Sequence, residues 1–134
     1  MSEQNAELVR QVVRAFNRRD LAALTQRFDS DVEWTPGGPA AVERQVYRGL
    51  DEVSDGFATT WETWELFDLE ESEVRALGDS LLWLGRARLR GSDASHIELE
   101  QEFAVHFLVR GEKIVRFRGF RGWQDALEAA GLSE

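Results

Sequence analysis

Residues 99–120, LEQEFAVHFLVRGEKIVRFRGF, contain two runs rich in Val, Ile and Phe that are separated by a short polar segment. Such runs are typical of β-strands, and the segment at residues 110–112 (RGE) is typical of the tight turn of a β-hairpin. The sequence therefore predicts two long antiparallel strands, over roughly residues 96–109 and 113–121.

The first of these strands has apolar residues on both faces over part of its length. Residues 97–102 alternate apolar and acidic, with Gln101 as the exception, and from Phe103 onward both faces are apolar apart from His106. An antiparallel strand of this kind is covered on both sides. We expect one face to line the core or a pocket and the other to meet a second subunit, which predicts a homodimer through the sheet. A lipid or partner-protein surface is the alternative, and the acidic charge of the chain disfavours it.

Apolar residues at helical spacing predict helices on both sides of the strands, and alternation predicts further strands. The predicted helices cover residues 5–19, a short segment after the N-cap Asp20, residues 50–65 and residues 123–130. The other predicted strands cover residues 32–34, 67–77 and 80–90. Phe28 is expected on the second helix, Trp64 on the third, and Gly131 just beyond the last. Helices followed by an antiparallel meander predict the α+β class.

Length and composition exclude several classes of protein. The chain has 134 residues, which fits one domain over residues 1–134, and it lacks the cysteine needed for disulfides, thiolate catalysis or Cys-ligated zinc. No apolar run approaches the ~18 residues of a membrane span, and the polar N-terminus is unlike a signal peptide, so a cytoplasmic protein is expected. The net charge of −9 disfavours nucleic-acid and membrane partners. Arg116, Arg118 and Arg121 are interpreted as one polar strand face.

Four segments, taken in order, resemble one superfamily. Residues 15–34 (AFNRRDLAALTQRFDSDVEW) resemble its opening helices and first strand, and residues 47–53 (YRGLDEV) the start of its third helix. Residues 99–120 resemble its hairpin with a Gly-Lys-Ile-type turn, and residues 125–132 (DALEAAGL) its C-terminal tail. The set is similar to the nuclear transport factor 2-like superfamily, in its SnoaL-like branch. The resemblance implies a cone-like, curved, mixed or antiparallel sheet packed against N-terminal helices (a cystatin-like roll) around an apolar pocket.

The catalytic groups known in this superfamily do not carry over to the sequence. Its ketosteroid isomerases use a Tyr and two Asp, and the matching positions here hold Val12, Trp34 and Ala104. Its epoxide hydrolases use an Arg between two carboxylates, whereas residues 86–88 (RAR) lack the acid and Gly119 replaces the other Asp. Its cyclases use an Asp near the last strand, where this chain has glycine.

His106 is the remaining candidate for acid–base chemistry, because the unperturbed pKa of histidine lies near neutrality. Strand alternation puts His106 on one face with Glu102 and Ala104, and alignment with the superfamily points that face into the pocket. Arg88 and Arg121 are candidates to bind an anionic group of a ligand. The alternative is a histidine whose ring nitrogens are satisfied at a pocket wall or a dimer interface.

The pocket is expected to combine aromatic walls with small residues. Residues 35–46 contain both prolines and are expected to form a loop over the mouth, close to Trp34 and Trp61. Small residues leave room for a ligand unless a bulky neighbour fills the space; these are Gly85, Ala87, Ala104 and Gly119. The residues expected to contact the ligand are Trp34, Trp61, Trp83, Arg88, Glu102, Ala104, Phe117, Gly119 and Arg121.

Two functions of different classes fit these features. The first is a pocket protein for a mainly hydrophobic small molecule, of a kind that includes polyketide-like and steroid-like compounds; as an enzyme it would do cofactor-free acid–base chemistry through His106. The second is a non-catalytic binding or dimerisation module with a vestigial pocket. No cofactor is expected, and no metal site, because His96 and Glu98 lack a clear third ligand. Glu98, Glu100 and Glu102 are expected on a solvated face that guards the strand against edge pairing.

Overall fold

The structure, a computed structural model, describes residues 2–37, 46–78, 80–92 and 97–131. The helices are α1 (Ser2–Asn17), α2 (Leu21–Thr25), α3 (Gly49–Thr63) and α4 (Trp123–Ala129). The strands are β1 (Phe28–Thr35), β2 (Tyr47–Arg48), β3 (Trp64–Leu77), β4 (Ser80–Gly91), β5 (Glu98–Arg110) and β6 (Lys113–Phe120). None of the described helices has both the length and the apolar character that crossing a membrane requires.

The strands form one six-stranded sheet in the order β2-β1-β6-β5-β4-β3. The β1–β6 pairing is parallel and the other pairings are antiparallel. Register shifts interrupt the β3–β4 and β5–β6 pairings, and shifts of this bulge type bend and twist a sheet. The α+β class and the curved mixed sheet predicted from the sequence are therefore confirmed.

Two helices pack on what we call the inner face of the sheet. The period of α1 brings Val9, Val13 and Phe16 to one side, and α3 likewise buries Val53 and Phe57. These side chains form one apolar core with inward-facing residues of all four long strands and β1. The core therefore lies between the helices and the concave side of the sheet.

The last helix, α4, packs on the opposite, outer face. It buries Ala126 and Leu127 in a second apolar cluster, whose sheet residues are Leu82, Leu84, Ala104 and Phe120. The indole N–H of Trp123 donates to the carbonyl of Gly85, at 2.9 Å. The backbone N–H of Trp123 donates to the Glu102 carboxylate, at 3.1 Å, which places a negative charge at the N-terminus of the helix.

Several local signals are confirmed by the structure. The Asp20 carboxylate accepts from the backbone N–H of Ala23 at 3.1 Å and so caps α2. The turn between β5 and β6 has positive φ at Gly111 (56°) and Glu112 (64°), the geometry of a type I′ hairpin. Gly131, with a φ of 80°, follows α4 as predicted.

Two aromatic residues lie in different elements from those predicted. Phe28 begins β1 rather than ending the second helix, because it pairs with Ile114 of β6 and its ring stacks on Phe117 at 5.1 Å. Trp64 begins β3 rather than ending α3. The Arg19 guanidinium donates to the Trp64 carbonyl at 2.6 Å, and this contact helps to stop the helix there. Residues 38–45, most of the predicted mouth loop, lie outside the described residues, as does Asp79 in the turn after β3.

Asn17, at the end of α1, joins the helix layer to the free edge of the sheet. β3 is an edge strand, so the backbone groups along its free edge have no strand partner. The Asn17 amide donates to the carbonyl of Leu69 and accepts from its N–H, both at 2.9 Å. One side chain thus replaces a missing strand at this position.

We expect Asn17→Ala to lower the free energy of unfolding by about 2 kcal/mol, because it leaves a half-buried donor and acceptor unsatisfied. Urea denaturation followed by circular dichroism measures the loss. Asn5→Ala, on the same helix, is the control and should change stability by less than about 0.5 kcal/mol. Equal effects of the two substitutions would contradict the bridging role of Asn17.

Candidate functional site

The orientation of β5 decides which residues can form a site inside the fold. Phe103, Val105 and Phe107 point to the inner face, where they join the core of α1 and α3. Ala104 points to the outer face, where it lies in the cluster under α4. Successive side chains on a strand alternate between faces, so this assignment applies to the whole of the strand.

A cavity of about 50 Å³ lies between the inner face and the helices. All of its lining residues are apolar: Val12, Val13, Phe16, Leu24, Trp34, Phe57, Phe67, Leu69, Phe103, Val105, Phe107, Phe117 and Gly119. No titratable side chain of the described ranges lines it. The cavity can therefore hold an apolar group, and its wall supplies neither a proton donor nor a proton acceptor from a side chain.

Stacked aromatic rings form one wall of the cavity. The ring of Trp34 stacks on Phe57 at 4.5 Å, on Tyr47 at 5.1 Å and on Phe117 at 5.6 Å between centroids. All these rings are nearly parallel, and stacking adds about 1 kcal/mol per pair to the burial of their surface. The wall is therefore rigid, and β1, β2, α3 and β6 hold it from different directions.

The segment after β1 crosses the end of β6 at two glycines. A Cβ on Gly37 would overlap the backbone carbonyl of Gly119, and a Cβ on Gly119 would lie 3.0 Å from the Gly37 nitrogen. The same Cβ on Gly119 would lie 3.4 Å from the ring of Phe103. The two backbones approach this closely only because neither residue has a side chain.

Three of the predicted ligand-contacting residues line the cavity, namely Trp34, Phe117 and Gly119. That they contact a ligand remains a prediction. Trp61 and Trp83 belong to the surrounding core but do not line the cavity. Their indole N–H groups are buried without a hydrogen-bond acceptor among the described residues.

The predicted position of His106, Glu102 and Ala104 inside the pocket is wrong. All three point to the outer face, since their chain neighbours Phe103 and Val105 line the cavity. The alignment with the superfamily therefore assigns the wrong face of this strand to the pocket. Its conclusion still holds, because the residues that do point inward are apolar as well.

The other predicted contacts are also outside the cavity. Arg88 lies on the outer face, where its guanidinium is 3.9 Å from the Glu98 carboxylate. Arg121 is exposed beyond the end of β6. Gly85 leaves no room for a ligand, since the Trp83 ring and the Glu70 carbonyl occupy the space that a side chain would take. Ala87 is buried in the core.

The sequence contained a signal for the correct face of β5. Glu98, Glu100, Glu102 and His106 share one parity along the strand, and a face with that many polar groups faces solvent. Two apolar residues share this parity: Ala104 is covered by α4, whose own apolar side must be buried, and Leu108 is half-buried on the outer face. The binary pattern of the strand thus predicts its correct inward face, whereas the alignment with the superfamily predicts the opposite one.

His106 lies half-buried on the outer face. Burial, and then the charges of Arg116 and Arg118 on the neighbouring strand, lower the pKa of its imidazole below the usual 6.5. Glu33 on β1 is the acidic side chain that lines the same surface depression. The described residues contain no group of three or more possible metal ligands, and His96 lies outside them.

Three solved structures share this fold. A nuclear transport factor 2-like protein of unknown function from Burkholderia pseudomallei is 22% identical, with 93% of this chain and 95% of that chain covered and a TM-score of 0.78. A hypothetical protein with a ketosteroid isomerase-like protein fold from Catenulispora acidiphila, in complex with trimethylamine, is 18% identical, with 95% and 94% covered and a TM-score of 0.76. A protein from Xanthomonas campestris assigned to the polyketide cyclases is 17% identical, with 95% and 96% covered and a TM-score of 0.80.

A curved sheet that encloses an apolar cavity with its N-terminal helices thus defines a nuclear transport factor 2-like fold. The family model of the SnoaL-like domain matches residues 9–117, so the chain belongs to the SnoaL-like domain family. The resemblance inferred from the sequence is confirmed. No curated protein sequence matches the chain.

The lowered pKa of His106 predicts a pH dependence of stability. As the pH falls below 6.5 the unfolded chain takes up a proton that the folded chain resists, so stability is lost between the unfolded and folded pKa values. We expect the free energy of unfolding to fall from about pH 8 to about pH 5, and His106→Gln to reduce that fall. The comparison is made in a His96→Gln background, which leaves one histidine. An unchanged pH profile in the variant would contradict the assignment.

Proposed function

We propose that this protein binds a small hydrophobic molecule in the cavity of its inner face. The observation that carries the proposal is the apolar lining of that cavity. The resemblance to the superfamily implies that Val12 and Gly119 stand where its enzymes carry polar groups. An apolar ligand is favoured there because binding removes its apolar surface from water and breaks no hydrogen bond of the ligand.

The size of the cavity limits the ligand. Its volume is about 50 Å³. A well-studied apolar cavity of about 150 Å³ holds benzene or xenon, which is about three times the space available here. A compound of a few heavy atoms therefore fits with little movement, whereas a polyketide-like or steroid-like compound requires the lining side chains to move apart.

The structural relatives support a pocket for small molecules. The Catenulispora acidiphila protein was solved in complex with trimethylamine, and the Xanthomonas campestris protein is assigned to the polyketide cyclases. Both are below 20% identity to this chain, so they bear on the fold and not on the choice of ligand.

We propose binding rather than acid–base catalysis as the role of the cavity. Catalysis by His106, the candidate for acid–base chemistry in the sequence, would require the imidazole to reach the ligand, and the sheet lies between the two. General acid–base catalysis needs the catalytic group within hydrogen-bond distance of the reacting proton. The wall of the described residues has no such group.

Thermal unfolding with a size-graded series of apolar compounds tests the ligand proposal. We expect saturable stabilisation by the small members, which reaches about 2.7 kcal/mol when the ligand is at ~100 times its dissociation constant. Larger members should stabilise less per unit of apolar surface. Absence of any shift across the series would contradict the proposal.

Two variants that fill the cavity from opposite sides sharpen the test. Val105→Leu adds one carbon from β5 and Val13→Leu adds one from α1, and each should weaken binding by about tenfold, since overpacking costs more than about 1 kcal/mol. Gly122→Ala is the control outside the cavity, because a Cβ at this position would lie 3.7 Å from the Glu102 carboxylate. Equal affinity in all three variants would place the ligand elsewhere.

We also propose that two copies pair through the part of the outer face that α4 leaves uncovered. The support is Leu108, a large apolar residue that is only half-buried on the outer side of β5. The helix itself covers the neighbouring residue Ala104, so the apolar second face of β5 is explained partly within one chain. The cytoplasmic location expected from the sequence likewise remains a prediction.

Light scattering at micromolar concentration measures the oligomeric state. We expect a mass twice the 15.3 kDa of the chain. Leu108→Glu should give single chains, because it places a charge at the centre of the proposed contact, and Ala58→Glu on the exposed side of α3 should leave the dimer intact. A wild-type mass of one chain would contradict the dimer.

A further inference from the structure

The outer face of the sheet carries a depression of about 350 Å³, which is separate from the apolar cavity and is lined in part by Leu108 of the proposed dimer contact. Two rows of opposed residues on β5, β6 and β1 line it, and we call it the outer basin. The first row is His106, Arg118 and Thr35, and the second is Leu108, Arg116 and Glu33. Opposed side chains on a sheet lie about 5 Å apart, and rows on the same face about 7 Å, so all six face a common space.

The charges in the outer basin are not balanced. Among the described residues neither Arg116 nor Arg118 forms an ion pair, and the Glu33 carboxylate has its ion pair with Arg48, at 3.9 Å. Two guanidinium groups thus share a basin whose one carboxylate already has a cation beside it. This excess of positive charge stands out in a chain with a net charge of −9.

Other arginines on the same face have partners. On β4, Arg86 lies 3.3 Å from the Glu100 carboxylate and Arg90 lies 2.8 Å from that of Glu98. In both cases the carboxylate comes from the adjacent strand. The missing counter-charge is therefore a property of the outer basin and not of arginines on this sheet in general.

The basin also restricts one of its donors, Arg118. The guanidinium carbon of Arg118 lies 4.8 Å from the centroid of the Phe120 ring, a cation–π contact that restricts the side chain. His106 is half-buried beside it, with the charged groups Arg116 and Arg118 facing it from β6 and Glu33 from β1. Its neighbour on β4 is the uncharged Leu82. Burial, and then the charges of the two arginines, lower its pKa.

We propose that the outer basin binds a small oxyanion of the phosphate or carboxylate class. Guanidinium groups bind such groups through paired, charge-assisted hydrogen bonds. The Thr35 hydroxyl and one His106 ring nitrogen supply further donors, and Leu108 offers an apolar surface to the body of an organic phosphate or carboxylate. Glu33 lies in the second row, with Leu108 and Arg116, where its negative charge repels anions. The site therefore prefers anions that reach the row of His106 and Arg118.

This site is independent of the apolar cavity. The two lie on opposite faces of the sheet, and they share no lining residue. Loss of ligand binding in the cavity would therefore leave the oxyanion site standing, and the reverse also holds. In a dimer through the outer face, the oxyanion would lie next to the second copy.

The test is a nuclear magnetic resonance titration of the His106 imidazole in a His96→Gln background. Inorganic phosphate and acetate are the two probes, and sodium chloride at matched ionic strength is the control. We expect a saturable change with at least one oxyanion, accompanied by a rise in the pKa of His106 as negative charge arrives. Phosphate and acetate in separate arms show which oxyanion the basin prefers. The same response to chloride, which means an ionic atmosphere only, would overturn the proposal.

Substitutions then locate the site. Arg118→Gln and Arg116→Gln should each weaken oxyanion binding by about tenfold, because each removes a charged hydrogen-bond donor. Arg88→Gln, on the same face but outside the basin, should bind as the wild type does. Undiminished binding in both basin variants would overturn the proposal. A second result would also overturn it: the wild type shows no effect of oxyanions, and Arg118→Gln changes the mass measured by light scattering. A second copy of the chain would then supply the negative charge that pairs with Arg118.

Discussion

The burial of β5 between two layers is the constraint on which the rest of this structure depends. Its inward residues Phe103, Val105 and Phe107 pack against the N-terminal helices, and Ala104 packs beneath α4. Because a strand presents alternate residues to opposite faces, one choice of orientation assigns every side chain of the strand at once. The neighbouring strands pair with it, β4 along Ser80–Arg90 and β6 along Arg116–Phe120 before the register shift, so their inward and outward residues follow from the same choice.

The sheet separates two environments that differ in kind. On the inner face an aromatic wall around Trp34 encloses an apolar cavity. On the outer face, cross-strand ion pairs such as Arg86–Glu100 lie in water, where they add little to stability but keep the exposed sheet charged and unattractive to other strands. A histidine placed one residue earlier or later on β5 would have been an acid–base group inside the cavity. At position 106 it is part of a basic surface instead.

Most of the secondary structure could be predicted because its signals are local. The N-cap at Asp20, the turn at Gly111 and the spacing of apolar residues in α1 depend on neighbours within a few positions. Phe28 and Trp64 were assigned to the wrong elements because apolar residues next to a helix fit both a helix face and a strand start. In both cases a distant partner, Ile114 on β6 for one and Arg19 for the other, decided the outcome.

The sequence by itself determined the fold family, the order of the elements and the shortage of acids and bases at the positions where related enzymes hold them. Family membership is spread over many weak local signals, and these survive without knowledge of any single contact. Only the tertiary structure decided which face of β5 lines the cavity, how small the cavity is, and that Arg116, Arg118 and His106 meet in one basin. These depend on the packing of α4 and on pairing between strands far apart in the chain, and a shift of one residue reverses them.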